Sequence, residues 1–420
     1  MSADYFDVVV VGAGVGGLTA AVALGRAGHR VLLLEKRVQP PRVAKGEVLQ
    51  PSSVGILREM GVLPSLIERG AVELDRLTVR SADGDEVMVF DYPGLGVPDR
   101  TLLALDYEEI VAALLSALPD TVCQRRGAAA DELLRDSAGR ISGVGYRRDG
   151  QRRSAHAPLV VAADGLSSKL RKLAGLAARP VEYPHRLMSF ELEDVPGTRT
   201  DVTAYLTERG LRLVYPLPHK RLRLYVQVTP ESVRHLVRDD LDAWCGRLAD
   251  DAPALQNLVA PLRAGLASRQ ILGMWRFAAP RLSVPGMALV GESAHSVHPM
   301  AAQGMNTAIA DANALARVIG PGPLRPDTVD DVLADYETER LKWIRHIDMM
   351  SHDATRMITM TSPVGRWLGR RILRRTNRNP RLRHIATYNL AGLGIRPFTV
   401  LDRLHQLGLP DPFARRGAAR

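Results

Sequence analysis

The stretch Tyr5-Phe-Asp-Val-Val-Val-Val-Gly-Ala-Gly-Val-Gly-Gly17 runs from a short apolar segment directly into a glycine-rich turn. The residues after it, Leu18 to Gly28, are mostly helix formers, so the sequence predicts a strand, a tight turn and a helix. In such a turn Gly12 permits the bend, Gly14 lets the backbone approach a pyrophosphate, and Gly17 lets the helix pack on the strand. The N–H groups and positive end of the helix favour phosphate. We therefore predict a dinucleotide site.

A second apolar run, Arg30-Val-Leu-Leu-Leu-Glu35, follows this helix. Its terminal acid lies about 20 residues past the turn, where an acid can accept hydrogen bonds from both ribose hydroxyls of a dinucleotide. Glu35 and the adjacent Lys36 are therefore candidate contacts, and Glu35 argues against a 2′-phosphate at this site.

The composition indicates a globular protein with a substantial core. The chain has 420 residues, more than one typical domain, so we expect two or three domains. Of these residues 46% are apolar, which is enough for a buried core. The sequence contains no run of about 18 apolar residues and no recognisable secretion signal. We therefore expect a cytoplasmic protein, with peripheral attachment to a membrane as an alternative.

The net charge of +10 comes mainly from arginine, and much of it lies between residues 366 and 383. Three interpretations of this basic run remain open. It is a solvated helix surface, an amphipathic helix that lies on anionic lipid, or a nucleic-acid contact. No recognised nucleic-acid-binding motif accompanies the charge, so nucleic acid is not an expected partner.

The order of sequence patterns predicts an α/β fold with a Rossmann-like nucleotide-binding domain that is discontinuous in sequence. We assign residues 1–75, 100–180 and 270–345 to that domain. Alternating apolar and polar residues predict an antiparallel β-sheet domain from residues 76–99 and 181–269. Another hairpin pair is expected between about 121 and 160. Residues 346–420 are expected to form a basic C-terminal helical region.

Two later segments carry further motifs. In Val160-Val-Ala-Ala-Asp-Gly-Leu-Ser-Ser-Lys-Leu-Arg171, an apolar strand ends in an acid and a glycine, where the backbone can approach a ligand closely. The second is Ala288-Leu-Val-Gly-Glu-Ser-Ala-His-Ser-Val-His-Pro-Met-Ala-Ala-Gln-Gly-Met-Asn-Thr-Ala-Ile-Ala-Asp-Ala312. It passes from a strand through a loop into a predicted helix that begins near Gly304.

With these segments, nearly the whole chain resembles the single-component FAD-dependent aromatic hydroxylases and epoxidases of the p-hydroxybenzoate hydroxylase fold. The resemblance implies that Asp164 contacts the flavin nucleotide and that Pro299 lies beside the flavin ring. A helix beginning near Gly304 would direct its N–H groups at the ring edge and favour the anionic reduced flavin. Pro299 and Gly304 are therefore the candidate catalytic positions. The implied cofactor contacts are Gly12, Gly14, Gly17, Glu35, Lys36, Lys45, Asp164, Gly291, Glu292, Gly304, Met305 and Asn306.

Three positions depart from the family pattern. Glu292 stands where an aspartate is usual, Ala302 replaces the first glycine of the turn, and Lys45 replaces an arginine. The surrounding string, residues 46–51, is similar to squalene epoxidase and favours a large lipophilic substrate. His295 and His298 invite a metal or general-base interpretation, but their spacing lacks a third ligand, so we predict no metal.

The resemblance implies a monooxygenase that uses FAD, a transiently bound NADPH or NADH, and O2. It would hydroxylate or epoxidise a lipophilic aromatic or isoprenoid molecule through a flavin C4a-hydroperoxide in a dry site. Two alternatives are a flavin-dependent reductase of isoprenoid double bonds and a non-enzymatic, basic lipid-surface protein. The resemblance implies that the sheet domain covers the site. Period-2 alternation gives candidate substrate contacts there, with packing in the sheet core as the alternative for each: Met188, Phe190, Tyr205, Tyr215, Tyr225 and Gln227.

Overall fold

The computed structural model describes residues 3–41, 44, 46–195, 200–236, 241–299 and 302–414. Its strands are β1 (Ala3–Tyr5), β2 (Val8–Val11), β3 (Val31–Glu35), β4 (Val48–Leu49), β5 (Val72–Leu74), β6 (Arg76–Ser81), β7 (Glu86–Asp91), β8 (Leu102–Ala104), β9 (Val122–Arg126), β10 (Ala129–Arg135), β11 (Ile141–Arg148), β12 (Gln151–His156), β13 (Leu159–Ala162), β14 (Val181–Leu192), β15 (Asp201–Thr207), β16 (Gly210–Leu217), β17 (Arg221–Val228), β18 (Gln270–Ala278), β19 (Ser283–Val284), β20 (Met287–Leu289) and β21 (His295–Ser296).

The helices alternate with these strands in the first part of the chain and follow them in the last part. They are α1 (Val15–Arg26), α2 (Pro51–Glu59), α3 (Leu63–Glu68), α4 (Tyr107–Ser116), α5 (Lys169–Leu173), α6 (Pro230–Leu236), α7 (Leu241–Asp251), α8 (Val259–Ala264), α9 (Gly304–Ile319), α10 (Pro326–Thr359), α11 (Pro363–Arg378), α12 (Pro380–Leu390) and α13 (Val400–Leu407).

A six-stranded sheet with the order β19-β20-β13-β2-β3-β9 forms the nucleotide-binding layer. β2, β3, β9, β13 and β20 are parallel to one another, β19 adds to β20 as an antiparallel edge strand, and the four residues of β2 are all buried. Continuous apolar strands are typical of parallel sheets covered on both faces. The three sequence segments that build this sheet are far apart in the chain, as the prediction of a discontinuous domain requires.

Residues 121–160 differ from the predicted hairpin pair. β9 adds to β3 as a parallel edge strand, whereas β10, β11 and β12 form an antiparallel meander that also pairs with β1. The alternation of residue types in β9 is the same for a hairpin strand and a half-buried edge strand, so the pattern alone did not separate them.

An eight-stranded sheet with the order β21-β18-β14-β17-β16-β15-β6-β7 forms the second layer. Its central strands are antiparallel, with one parallel pair between β15 and β6. β18 pairs with β14, so the sheet extends past the predicted boundary at residue 269. α7 and α8 cover one face of this sheet, and residues of α11 and α12 pack on the other.

The predicted C-terminal helical region, residues 346–420, contains the second part of α10 and all of α11, α12 and α13, whereas α10 itself begins at Pro326 within the segment predicted for the nucleotide-binding domain. α10 runs along the nucleotide-binding layer, and Tyr336 in it donates a hydrogen bond to the Leu289 carbonyl at 2.8 Å. Within the described part of the chain, none of the helices combines the length and apolarity needed to cross a membrane. The predicted α/β fold class, with an antiparallel sheet layer and C-terminal helices, is confirmed.

Candidate flavin site

The first and third glycines of the glycine-rich turn are required by close backbone packing. Gly12 has a φ of +106°, and a Cβ there would lie 2.2 Å from the Ala163 carbonyl oxygen. A Cβ on Gly17 would lie 1.9 Å from the Gly12 carbonyl oxygen. Gly14 differs, because the nearest atom to its Cβ would be the Tyr107 hydroxyl at 3.5 Å. The space beside Gly14 is therefore available to a ligand, as expected for the phosphate-binding glycine.

Glu35 lies at the end of β3, directly beside this turn. Its carboxylate accepts hydrogen bonds from the backbone amides of Ala13 at 2.7 Å and Arg37 at 2.8 Å. A small pocket of about 50 Å³ opens at this point. It lies beside the Glu35 carboxylate, whereas Lys36 is exposed and outside its lining. The lining residues are Ala13, Gly14, Glu35, Arg37, Gln39, Pro40, Pro41, Tyr107, Val111 and Arg126.

Tyr107, at the start of α4, connects the separate loops of the site. Its hydroxyl makes a hydrogen bond with the Val15 backbone amide at the start of α1. Burial raises the pKa of Tyr107 to about 12, and the nearby carboxylate of Glu292 adds to that rise. The ring also lies beside Gly46. The sequence analysis had not assigned this residue a role, although an aromatic first residue in a helix after a short buried strand was a usable signal.

Asp164 follows β13, and its side chain caps the next helix. The carboxylate accepts hydrogen bonds from the Ser168 hydroxyl at 2.5 Å and from the Lys169 and Leu170 backbone amides at 2.8 and 3.2 Å. Arg171 is buried in the same loop and donates to the carbonyl of Ser293 at 2.7 Å. Asp164 thus shapes the loop through α5, and Arg171 ties that loop to the turn at residues 291–293.

The turn at Gly291, Glu292 and Ser293 is held against α9 by the buried side chain of Asp311. The Asp311 carboxylate accepts hydrogen bonds from the Gly291 amide at 3.1 Å, from His295 Nε2 at 2.7 Å and from Arg340 Nε at 2.8 Å. Burial would raise the pKa of Asp311, but Arg340 and His295 outweigh that effect and lower it. In the sequence, Asp311 could have been recognised as a lone acid on the apolar face of a predicted helix.

The N-terminus of α9 is fixed to the loop before α2 through Asn306. Its amide accepts a hydrogen bond from the Gln50 backbone at 2.8 Å and donates to the Val48 carbonyl at 3.0 Å. The Asn306 side chain therefore bonds to protein, which leaves backbone groups of α9 for the predicted flavin contact. Gly304 has open space at its Cβ position, and the Met305 sulfur lies beside Gly46. Lys45 lies outside the described residues.

The departure at Ala302 has a visible conformational cost. Ala302 has a φ of +48°, in the left-handed region that glycine adopts without a steric penalty. An alanine there costs about 1 kcal/mol relative to glycine, which explains why the family usually has glycine at this position. Pro299 precedes this residue in the same loop, and its carbonyl accepts a hydrogen bond from the Ala302 amide at 2.8 Å.

The two histidines of this loop have protein partners. His295 bonds to Asp311, and His298 lies with its Nε2 atom 2.9 Å from His185 Nε2. Burial lowers the pKa of His298 to about 3, and His185 adds to that decrease. Among the described residues there is no cluster of three or more histidine, cysteine or acidic side chains that could hold a metal ion.

The His185–His298 pair should make the stability of the protein pH-dependent. Because His298 stays neutral when folded but is protonated below about pH 6.5 when unfolded, acid favours the unfolded state. We expect the unfolding free energy to fall below pH 6.5 with a slope of up to about 1.4 kcal/mol per pH unit from this residue. Urea unfolding between pH 7.5 and 4.5 measures it.

His298→Gln keeps a polar side chain without a titrating group and should reduce the slope. His219→Gln, an exposed turn residue, is the matched control and should leave it unchanged. Equal slopes in the parent and in His298→Gln would contradict the assignment.

The six predicted substrate residues divide between the two faces of the eight-stranded sheet. Tyr225 pairs with Leu213, and Tyr215 pairs with Arg223, so the two tyrosines share the face toward Ala44 and Glu47. Gln227 is on the same face but bonds to the Leu211 amide and the Thr359 carbonyl.

The other three side chains point away from that loop. Met188 and Phe190 pair with Val226 and Leu224 on the opposite face, and Phe190 packs on Trp244 with ring centroids 5.6 Å apart. Tyr205 packs in the same cluster under α7 and α8. The structure therefore does not bring Met188, Phe190 and Tyr205 to the predicted chamber. Period-2 alternation identifies two faces but not which one a distant loop covers.

A buried ion pair fixes the loop before α2 to the sheet. Glu47 accepts hydrogen bonds from Arg223 at 2.7 and 3.0 Å and from the Tyr215 hydroxyl at 2.7 Å. The Tyr225 hydroxyl donates to the Ala44 carbonyl at 2.9 Å. Burial raises the pKa of Glu47, and Arg223 opposes that rise. Both tyrosine hydroxyls are thus used within the protein, so the rings face the interior.

Two buried polar groups, on Gln50 and Tyr92, lie beside this loop and beside each other. The Gln50 side-chain amide and the Tyr92 hydroxyl are fully buried, and neither makes a well-formed hydrogen bond within the described part of the chain. Burial raises the pKa of Tyr92, and the neighbouring Gln50 amide opposes the shift. The two groups therefore lie within reach of each other in the interior.

The fold and these converging loops define a class of nucleotide-binding oxidoreductases, and comparison with known proteins identifies the family. The family described as "FAD binding domain" matches residues 5–351, so the chain belongs to it. The chain is 31% identical to 6-methylpretetramide 4-monooxygenase of Streptomyces rimosus, covering 77% of each protein. It is 30% identical to digeranylgeranylglycerophospholipid reductase 1 of Methanopyrus kandleri, covering 79% of this chain and 84% of that protein.

Solved structures agree with this assignment. The chain superposes on PqsL, a probable FAD-dependent monooxygenase from Pseudomonas aeruginosa, with a TM-score of 0.73 and 26% identity, covering 84% of this chain and 97% of that one. An HpxO variant from Klebsiella pneumoniae complexed with FAD has the same fold, with a TM-score of 0.77, 22% identity, and coverage of 93% and 100%. The predicted FAD-dependent monooxygenase family is confirmed.

The described residues fit FAD. The open space at Gly14 and the pocket at Glu35 lie on segments that meet around Tyr107, and Gln50 joins the start of α9 through Asn306. The site residues would hold the nucleoside at Glu35, the pyrophosphate at the turn before α1 and the ring near α9.

Replacing Glu35 by glutamine should weaken FAD binding about tenfold to a hundredfold, because a hydrogen bond to a charged group contributes about 1.5–3 kcal/mol. One amide oxygen remains to accept from the Ala13 amide, so the fold should persist. Quenching of flavin fluorescence on titration of the apoprotein measures the affinity. Glu68→Gln, at the exposed end of α3, is the control. Equal affinities for both variants would remove Glu35 from the site.

Proposed function

We propose that the protein is a monooxygenase that uses FAD, NADPH or NADH, and O2 to hydroxylate or epoxidise a lipophilic aromatic or isoprenoid molecule. The principal support is the family of the chain, whose relatives include FAD-dependent monooxygenases. The interior between residues 46–50 and the sheet is consistent with this, because mainly apolar side chains surround the buried ion pair of Glu47 and Arg223 there. Sites for small lipophilic ligands are mostly apolar and contain a few polar groups.

Bound FAD would accept a hydride from the nicotinamide and activate O2, which is chemistry that the protein itself cannot supply. The protein's part is positioning and exclusion of water. The helix dipole and amides at the start of α9 favour negative charge beside them. Asn306 and Asp311 hold that helix in place through the bonds to residues 48–50 and 291. The apolar face of the sheet, with Tyr215 and Tyr225, keeps the substrate side dry.

The decisive experiment is substrate-stimulated NAD(P)H oxidation by the FAD-loaded protein, with mass spectrometry of products formed under labelled O2. A suitable panel includes 6-methylpretetramide, squalene and geranylgeranyl lipids, which the names of the relatives suggest. Incorporation of one labelled oxygen atom into a product supports the proposal. FAD-loaded protein that incorporates no label across the panel would contradict it.

The reductase relatives support a second candidate, reduction of isoprenoid double bonds. The two functions differ in their need for oxygen. Turnover of a geranylgeranyl lipid by the reduced protein under anaerobic conditions would establish the reductase, whereas a monooxygenase forms no product there.

A pair of conservative variants tests the proposed location of the substrate. Tyr92→Phe removes a buried hydroxyl that lies beside the Gln50 amide without a well-formed hydrogen bond, so we expect stability to change by less than about 1 kcal/mol and KM to rise severalfold. Tyr336→Phe removes a buried hydroxyl that bonds to the Leu289 carbonyl, so it should lower stability by about 1 kcal/mol without changing KM. A higher KM for Tyr336→Phe and an unchanged KM for Tyr92→Phe would place the substrate away from Tyr92.

A further inference from the structure

One face of α11 is exposed and combines apolar residues with arginines. Val364 and Trp367 are 76% and 62% exposed, and Leu368 is also exposed. Arg371 continues this face one turn later, with its guanidinium over the Trp367 ring at 5.5 Å. Exposed aromatic and aliphatic side chains on a single face are unusual for a surface in contact only with water.

α13 extends this surface. Arg371 donates a hydrogen bond to the Leu407 carbonyl at 3.1 Å, so the end of α13 contacts the middle of α11. Val400 is 81% exposed. Four further exposed apolar side chains follow on α13 and just after it, at Leu401, Leu404, Leu407 and Leu409. We call the exposed residues of α11 and α13 the C-terminal patch.

The C-terminal patch is positively charged. Arg374, Arg375 and Arg378 are exposed and form no salt bridge among the described residues, and α11 contains no acidic residue. By contrast, arginines at the margins are paired, as in Arg366 with Glu208 and Arg403 with Asp353. Arg374, Arg375 and Arg378 therefore add exposed positive charge to the apolar face of α11.

The positive charge of the C-terminal patch favours a lipid bilayer over a second copy of the protein as its binding partner. A symmetric dimer would place the same patch on both subunits and oppose arginines to arginines, which is unfavourable. An anionic bilayer satisfies both features, because the apolar side chains enter the interface and the arginines contact lipid phosphates. Trp367 has the amphipathic ring that is enriched at membrane interfaces.

We propose that the C-terminal patch docks the protein onto the surface of an anionic bilayer. This docking does not depend on the proposed function. The inner side of the same helical layer carries Leu373, Leu390 and Ala391, which pack in the cluster that contains Tyr215 and Tyr225. Docking therefore places this layer between the lipid and the apolar interior of the sheet, and a lipophilic substrate would have a short path from the bilayer.

Vesicle flotation of the full chain loaded with FAD tests the proposal. We expect binding to phosphatidylcholine vesicles that contain phosphatidylglycerol, weak binding to phosphatidylcholine alone, and loss of binding at high salt. Trp367→Ser and the double variant Arg374→Glu, Arg375→Glu should each reduce the bound fraction about tenfold. Retained FAD content shows that the variants are folded.

Two matched controls have the same chemical change elsewhere on the surface. Tyr5→Ser removes an exposed aromatic ring of β1, and the double variant Arg147→Glu, Arg148→Glu changes the charge of β11 equally. Both should float like the parent. The proposal is overturned if the parent does not bind anionic vesicles or if the patch variants bind as well as the controls. It is also overturned if the parent protein has no lipid affinity but is a dimer by light scattering, and Trp367→Ser makes it a monomer.

Discussion

Replacing Gly17 by alanine is expected to destabilise the protein by about 3 kcal/mol and to abolish measurable FAD binding. The added Cβ would lie 1.9 Å from the Gly12 carbonyl oxygen and 3.1 Å from the Ala163 Cβ. Both contacts involve the backbone or a rigid side chain, so the first turn of α1 must move away from β2. Overpacking of this kind costs about 1–3 kcal/mol, and more where backbone must shift. Urea unfolding and flavin titration measure the two effects.

Gly14→Ala is the matched control for this prediction. Its Cβ would meet only the Tyr107 hydroxyl at 3.5 Å, so the stability without FAD should change by less than about 1 kcal/mol. FAD affinity should still fall at least about tenfold, because the methyl group occupies the space through which the backbone approaches the pyrophosphate. If Gly14→Ala binds FAD normally, the cofactor does not lie against this turn.

The parts of the fold that the sequence predicted well are those set by local chemistry. The strand, turn and helix around Gly12, Gly14 and Gly17 follow from an apolar run and from glycines whose spacing serves both packing and phosphate. The acid at Glu35 is positioned by the length of a single helix and strand. These features need only about thirty residues of context, so the sequence was sufficient to identify them.

The parts that it missed depend on contacts between distant segments. Tyr107 and Asp311 contact loops that are more than fifteen residues away in sequence, and no periodic pattern reports such contacts. The same reason explains why Met188, Phe190 and Tyr205 were predicted as substrate contacts but lie on the opposite face of the sheet. Alternation identified them as one face of a strand, but α7 and α8 cover that face, and the loop at residues 44–50 covers the other.

The second large effect concerns Asp311, which joins the turn at residue 291 to α9 and α10. Asp311→Asn should lower the unfolding free energy at pH 7 by about 3 kcal/mol, because it leaves the buried guanidinium of Arg340 without its counter-charge. It also replaces one acceptor oxygen by a donor that faces His295 or the Gly291 amide. FAD affinity should fall as well, since this turn and the start of α9 lose their common anchor.

The pH dependence separates this charge effect from a loss of packing. Arg340 and His295 lower the pKa of Asp311 in the folded protein, so its carboxylate stabilises the fold fully above the ordinary aspartate pKa of about 4. That stabilisation is lost as the pH falls below this value, through the lowered pKa. The difference between the parent and Asp311→Asn should therefore be constant from pH 7 to pH 5 and shrink in stronger acid.

Glu339→Gln provides the control, because it breaks an exposed ion pair with Arg317 on the same pair of helices. Exposed pairs contribute about 0–1 kcal/mol, so this variant should be nearly as stable as the parent at every pH. If Asp311→Asn were no less stable than Glu339→Gln, the buried charges would not be what holds α9 against the turn. The position of the α9 N-terminus would then rest on Asn306 and its bonds to residues 48 and 50 alone.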